Sequence, residues 1–262
     1  MFQIFIIKGK ISNMINSKSN DLKQLWSELS QNNRVTESYK IRNGKRINIG
    51  YVNQFALHDF IPNKWFDWEN RSDSEIMIIG QDWGPYSALL PFITEYEKQK
   101  SQDNFDYNKY LFRTFSSRTE KFIIKAIEKT YFEKFKKYIS QTVWDKFFFT
   151  VAIMFTRQGN HFRGNEFFDE KLGVVESLPY LKRQIEIIKP KVIMPLGGIA
   201  WKMLATIFEL KQNLTISDVI EKQTGRPIVI GDTKIVPNFH PASHTDPKIQ
   251  MSIWKTIWEY IN

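Results

Sequence analysis

Two short polar clusters, each following an apolar run, hold the residue types that hydrolytic chemistry needs. The first is Gly80-Gln81-Asp82-Trp83-Gly84-Pro85-Tyr86, directly after Ile76 to Ile79. The second is Asn238-Phe239-His240-Pro241-Ala242-Ser243, directly after Lys234 to Pro237. A carboxylate such as Asp82 can position a water or offset positive charge in a transition state. An imidazole such as His240 can donate a hydrogen bond to a leaving group, as a neutral ring or as a cation. Gly80 permits a tight turn and the close approach of a ligand. Taken singly, each cluster also fits a bland reading: a strand-ending turn with a solvated Asp, and a partly buried His packed beside Pro241. Together they gain weight, because open α/β sheets bind ligands at the carboxyl ends of their strands.

For both clusters to reach one edge, the runs before them must be parallel strands of one sheet. From Glu75 onward, short apolar runs alternate with amphipathic segments, the pattern of a sheet with crossover helices. The strands expected are Ile76 to Ile79, Phe147 to Phe155, Val192 to Pro195 and Lys234 to Pro237, mostly apolar enough to be buried on both faces. Pro227 to Ile230 adds a short partner strand through the Gly231-Asp232 turn. The fold class expected is therefore α/β, a three-layer α/β/α sandwich around a central, mostly parallel four-stranded sheet. Ser117-Arg118-Thr119-Glu120 reads as a capping box before a helix. A second helix is expected from Pro179 to Ile188, stopping at Lys189-Pro190. In the last, Asp246 caps the N-terminus, Pro247 takes the first helical position, and Trp254, Ile257, Trp258 and Ile261 follow at helical spacing.

Residues 1–70 read as an extension packed on a core domain of residues 71–262. Met1 to Ile7 looks like a strand, Asp21 to Ser30 like a helix after the Ser17-Lys18-Ser19-Asn20 stretch, and Gln31 to Lys45 like a polar loop.

Composition narrows the chemistry. The 262 residues are 42% hydrophobic and 25% charged, ordinary for one globular domain of this size. The chain has no Cys, which removes disulfides, thiolate metal sites, cysteine nucleophiles and cysteine-held iron-sulfur clusters together. No run of apolar residues is long enough to span a membrane, and the first residues lack a basic leader or cleavage site, so a cytoplasmic protein is expected. The net charge of +9 favours an anionic partner with phosphates, most often nucleic acid. His240 and His244 have i,i+4 spacing, but Pro241 between them argues for a loop and no third ligand is evident, so no metal is expected. The basic cluster from Lys121 to Lys137 reads as a solvated helix face.

At this point the chain resembles the uracil-DNA glycosylase superfamily. Gly80-Gln81-Asp82 is similar to the opening of that family's first motif, and His240-Pro241-Ala242 to its second, HPS or HPA. Phe147 to Met154 resembles the apolar strand carrying the family's base-reading residue. Val192 to Ala200 resembles its segment of apolar strand, Leu-Gly and Ala. The resemblance implies a DNA partner and a base turned out of the helix, with catalysis by Asp82 and His240. Asp82 would hold or activate water beside an oxocarbenium-like sugar, and His240 would stabilise the departing base. Gly80, Gln81, Gly84, Phe92, Val151, Asn160 and Ser243 are the base- and substrate-binding set it implies, with Phe92 placed to stack on the base. It implies no cofactor, and a monomer is the expectation.

Two departures bear on specificity. Val151 stands where the family commonly has a base-reading Asn, and its side chain cannot hydrogen-bond a base edge. Thr150 or Asn160 takes over that role, or the pocket prefers another base, or the site does not catalyse. Gly84 stands where one branch has a Tyr that excludes thymine's methyl group. The readings left open are a glycosylase, a catalytically inactive nucleic-acid-binding member of the fold, and a small-molecule or nucleotide hydrolase.

Overall fold

The computed structural model describes residues 2–32, 39–42, 44–48, 51–52, 71–82, 90–91, 93–94, 98, 118–157, 170–210, 214–223 and 226–261. In chain order the elements are α1 (Phe2–Gln31), β1 (Tyr39–Arg42), β2 (Lys45–Asn48), β3 (Tyr51–Val52), β4 (Ile76–Gly80) and α2 (Arg118–Phe135). There follow α3 (Gln141–Trp144), β5 (Phe147–Val151), β6 (Thr156–Arg157), α4 (Glu170–Ile188), β7 (Val192–Pro195) and α5 (Gly198–Ile207). The chain closes with α6 (Ile216–Gln223), β8 (Ile228–Ile230), β9 (Thr233–Ile235), α7 (Pro247–Thr256) and a 3-10 turn, Ile257–Glu259.

The central sheet has five strands in the order β5-β4-β7-β9-β8. All pairs are parallel except β8-β9, so the mostly parallel sheet expected from the sequence is present, with the short Pro227 to Ile230 partner strand as its fifth member. Alternation along β5 shows how two helical layers cover it. Phe147 stacks on Phe149 at 5.8 Å and meets Trp258 edge-on at 5.7 Å, on the face where α2 and α7 pack. The hydroxyl of Thr150, on the other face, donates to Gln184 Oε1 of α4 at 2.8 Å. This is an α/β/α sandwich whose core runs through every strand of the sheet's centre.

The N-terminal region differs from the expectation in two places. Phe2 onward is helical, not a strand, because α1 runs unbroken to Gln31. A short apolar run cannot by itself tell strand from helix. Leu22, Leu25 and Leu29 bury one stripe of α1, which packs along α4. Asn32 Nδ2 donates to the Tyr180 hydroxyl at 3.0 Å, and Lys18 Nζ to the Ile188 carbonyl at 3.2 Å. The supposed loop from Gln31 to Lys45 instead contains β1, which pairs with β2 as an antiparallel hairpin.

Two boundaries also moved. Helix α4 starts at Glu170, well before Pro179, which lies inside it. A proline there leaves the carbonyl four residues earlier, that of Val175, without its helical partner. Both Pro179 and Val175 are exposed, so water can satisfy that carbonyl. Strand β5 ends at Val151, not Phe155, although the residues through Phe155 stay buried. The apolar run reports burial beyond the strand's end. Beyond it, the Met154 amide donates to Ser177 Oγ on α4 at 2.9 Å.

Candidate active site

Sheet order fixes where the loops diverge. The chain leaves β4 towards β5 on one side and leaves β7 towards β9 on the other, so a crevice opens between β4 and β7 at their carboxyl ends. The ladder runs past the formal strand ends on both sides of this point. Ala152 N donates to Gly80 O at 2.8 Å and Ile153 N to Gln81 O at 2.9 Å. Leu196 N donates to Ile79 O at 2.9 Å, Gly197 N to Asn238 O at 2.9 Å and Asn238 N to Pro195 O at 3.0 Å. These bonds carry Gln81-Asp82, Gly197 and Asn238-Phe239-His240 to a single edge.

His240 is held from several directions. Pro241 sits at the second position of a turn closed by Ser243 N donating to His240 O at 2.8 Å. The Ala242 amide donates to His240 Nδ1 at 3.2 Å, so Nδ1 presents a lone pair and the neutral ring carries its proton on Nε2. Burial pushes the pKa of His240 below the usual imidazole value, and the negative charge of Asp82 pulls it back in part. The neutral ring is thereby favoured, and the carboxylate stands close enough to act on it. Ser243 Oγ donates to Thr245 Oγ1 and accepts from Gln250 Nε2, both at 3.2 Å, which fastens the loop to α7.

Gly197 makes room for His240. Its φ of 93° and ψ of 175° belong to a region open essentially to glycine alone. A Cβ built there would lie 3.1 Å from His240 Cβ. Helix α5 begins at once after it, and Gly197, as its N-cap, offers no side chain to its first amides.

Asp82 forms an ion pair with Arg157, whose Nε lies 3.0 Å from Asp82 Oδ2 without the alignment of a hydrogen bond; the side chains are 6% and 11% exposed. Gln81 Nε2 donates to the same oxygen at 3.4 Å, a long contact. Among the described residues of this site, Arg157 and Gly197 are not singled out by the sequence as site residues. Arg157 ends an apolar run, where a charge ordinarily marks the exit to solvent; its burial is what gives it away, and burial is not visible in one sequence. Gly197 stood inside a quoted motif, yet its φ cannot be read from residue type.

Of the substrate-binding residues expected, Gly80 and Val151 face each other across the β4-β5 register. Val151 is 5% exposed, and its Cγ1 lies 3.6 Å from where a Gly80 Cβ would be, an ordinary contact. Thr150 is turned to the opposite face, where its hydroxyl donates to Gln184 Oε1. Gly84, Phe92 and Asn160 lie outside the described residues. Among the described residues there is no group of three or more His, Cys, Asp or Glu side chains that could hold a metal ion. No described helix is long and apolar enough to cross a membrane.

The family model for the uracil DNA glycosylase superfamily matches residues 66–261, well over half of the chain. No curated protein matches at a significant level.

Proposed function

Because the chain belongs to the uracil DNA glycosylase superfamily, we propose that it binds DNA and cleaves the N-glycosidic bond of a uracil or another damaged base turned out of the helix. The observation that carries this reading is a nearly buried carboxylate, Asp82, acting electrostatically on a neutral His240 at one sheet edge. As the glycosidic bond lengthens, the sugar gains positive charge and the base negative charge. Asp82 offsets the first and aims the attacking water, while the Nε2–H of His240 donates a hydrogen bond to the second and keeps its proton; the base leaves as an anion, and the proton released when water adds to the sugar passes to solvent or to the departed base. The N-terminus of α5, beside His240, adds partial positive charge on the side of the departing base. Gly80, Gln81 and Ser243 border this space, with Gly84, Phe92 and Asn160 assigned to the base pocket. A net charge of +9 draws the DNA backbone to the protein.

A non-catalytic DNA-binding member of the same fold is the second reading, favoured by Val151. An apolar side chain there offers no hydrogen bond to a base edge, and Thr150 is engaged elsewhere. The test is incubation of the purified protein with single- and double-stranded oligonucleotides bearing uracil, hypoxanthine or a G·T mismatch, scored for abasic sites. Abasic product from any of them supports the first reading. Binding that weakens steeply with salt but leaves every base in place supports the second, and absence of binding even at low salt contradicts both.

A further inference from the structure

Asp82 and Arg157 reach each other from different parts of the chain. Asp82 follows β4, and Arg157 sits in β6, beyond the bend after β5. A buried ion pair is expensive to assemble, since each charge gives up its hydration, so stability alone does not account for it. What a guanidinium brings to a carboxylate is a planar, permanent charge at a fixed place, and the ion pair between Arg157 Nε and Asp82 Oδ2 at 3.0 Å puts that charge against one side of the carboxylate. Strand β6 is fixed in turn by β3, with Tyr51 opposite Arg157 and Val52 opposite Thr156 in an antiparallel pair. Tyr51 and Val52 precede the segment 66–261 that the family model matches.

We propose that Arg157 is a positioning residue for the Asp82 carboxylate, and that strand β3, contributed from outside the family domain, holds Arg157 in place. The inference rests on the role assigned to Asp82 above. Arg157 acts only through Asp82 and touches no reacting atom. A carboxylate that must aim a water loses effect steeply when displaced, by about 100-fold for a shift on the order of 1 Å. Lys at this position would keep the charge and lose the rigid, planar placement of it, so it should rescue in part.

The experiment compares the full-length protein with its Asp82→Asn, Arg157→Met and doubly substituted forms, and with Arg157→Lys. Three quantities are read: single-turnover excision from a uracil-containing oligonucleotide, the dissociation constant for that oligonucleotide, and the thermal unfolding midpoint. Arg157→Met should slow excision about 10- to 100-fold while binding stays within about twofold, with Arg157→Lys between it and the unsubstituted protein. In the Asp82→Asn background the same substitution should cost less than about twofold, because the group it acts through is gone. Equal losses in both backgrounds, or no loss in either, overturn the positioning role.

If the unsubstituted protein excises nothing, the catalytic reading fails by itself and the pair is judged on unfolding. Arg157→Met should then lower the midpoint when Asp82 is present and leave it unchanged in Asp82→Asn; additive lowering overturns the proposal. For β3, neighbouring pairs in an antiparallel ladder alternate between hydrogen-bonded and non-bonded, so one of Tyr51→Pro and Val52→Pro removes a ladder bond. At least one should reproduce the Arg157→Met effect and add nothing in Asp82→Asn. If neither does, β3 has no part in it.

Discussion

Gly197→Ala is the substitution whose cost can be worked most directly from the geometry of the site. At φ 93° and ψ 175° an L-residue is strained, by about 1–3 kcal/mol. Against this, the unfolded chain loses freedom when Gly becomes Ala, which returns about 0.4–1 kcal/mol. The added Cβ would also press on His240 Cβ from 3.1 Å, a contact that relaxes only if His240 shifts by a few tenths of an ångström. The net expectation is destabilisation of about 1–2 kcal/mol, accompanied by a shift of His240. Gly198→Ala is the matched control. It lies one residue on, at the start of α5, and a Cβ there meets nothing within 4 Å. Ala at that helical position should be neutral or stabilising by up to about 1 kcal/mol. Urea unfolding of the three proteins gives the midpoints, and the His240 ring signals in an NMR spectrum report its displacement. If Gly197→Ala unfolds at the same urea concentration as Gly198→Ala with His240 unmoved, the packing argument is wrong.

Asp246→Ala should cost about 1 kcal/mol, because it removes the side chain that accepts from the Lys248 amide at 2.8 Å, and urea unfolding would register it. His240 titrates lower in the folded protein than its ordinary value of about 6.5, so as pH falls below that value the unfolded state takes up the proton first. Stability from this source is therefore complete above pH ~6.5 and is lost as pH falls towards the folded value; His240→Gln should flatten that part of the unfolding-versus-pH curve, and two superimposable curves would contradict it. Val151→Asn should raise uracil excision, since it gives the base edge a partner at the end of β5 and removes the cost of an unpaired polar group, about 1–3 kcal/mol; equal rates would show that another residue reads the base.

What the sequence made legible was chiefly the sheet. Ile76 to Ile79 and Val192 to Pro195 declare themselves because parallel strands buried on both faces must be apolar throughout, and the polar clusters after them follow from topology. The last helix was legible for a different reason: Asp246 and Pro247 satisfy local requirements of a helix start that tertiary packing did not override. Where those local signals were weak or contradicted, packing decided. Ser17 to Asn20 look like a helix start, yet α1 runs straight through them, its Leu22, Leu25 and Leu29 buried against its neighbours. Pro179 looks like a boundary, yet its exposed position makes the lost hydrogen bond cheap. Asp82 and His240 could be placed at one sheet edge, because that follows from the strands before them. Arg157 could not, since its significance lies in a long-range ion pair and a two-residue ladder to β3.

The most direct test of the central claim is single-turnover excision of uracil from an oligonucleotide by the unsubstituted protein, Asp82→Asn and His240→Ala, under matched, saturating protein. Loss of the carboxylate should slow the chemical step by about 10²–10⁴-fold, and loss of the imidazole donor by about 10²–10³-fold, while DNA binding is retained. Excision that persists at the unsubstituted rate in either variant would contradict the assignment of Asp82 and His240 as the residues that cleave the bond.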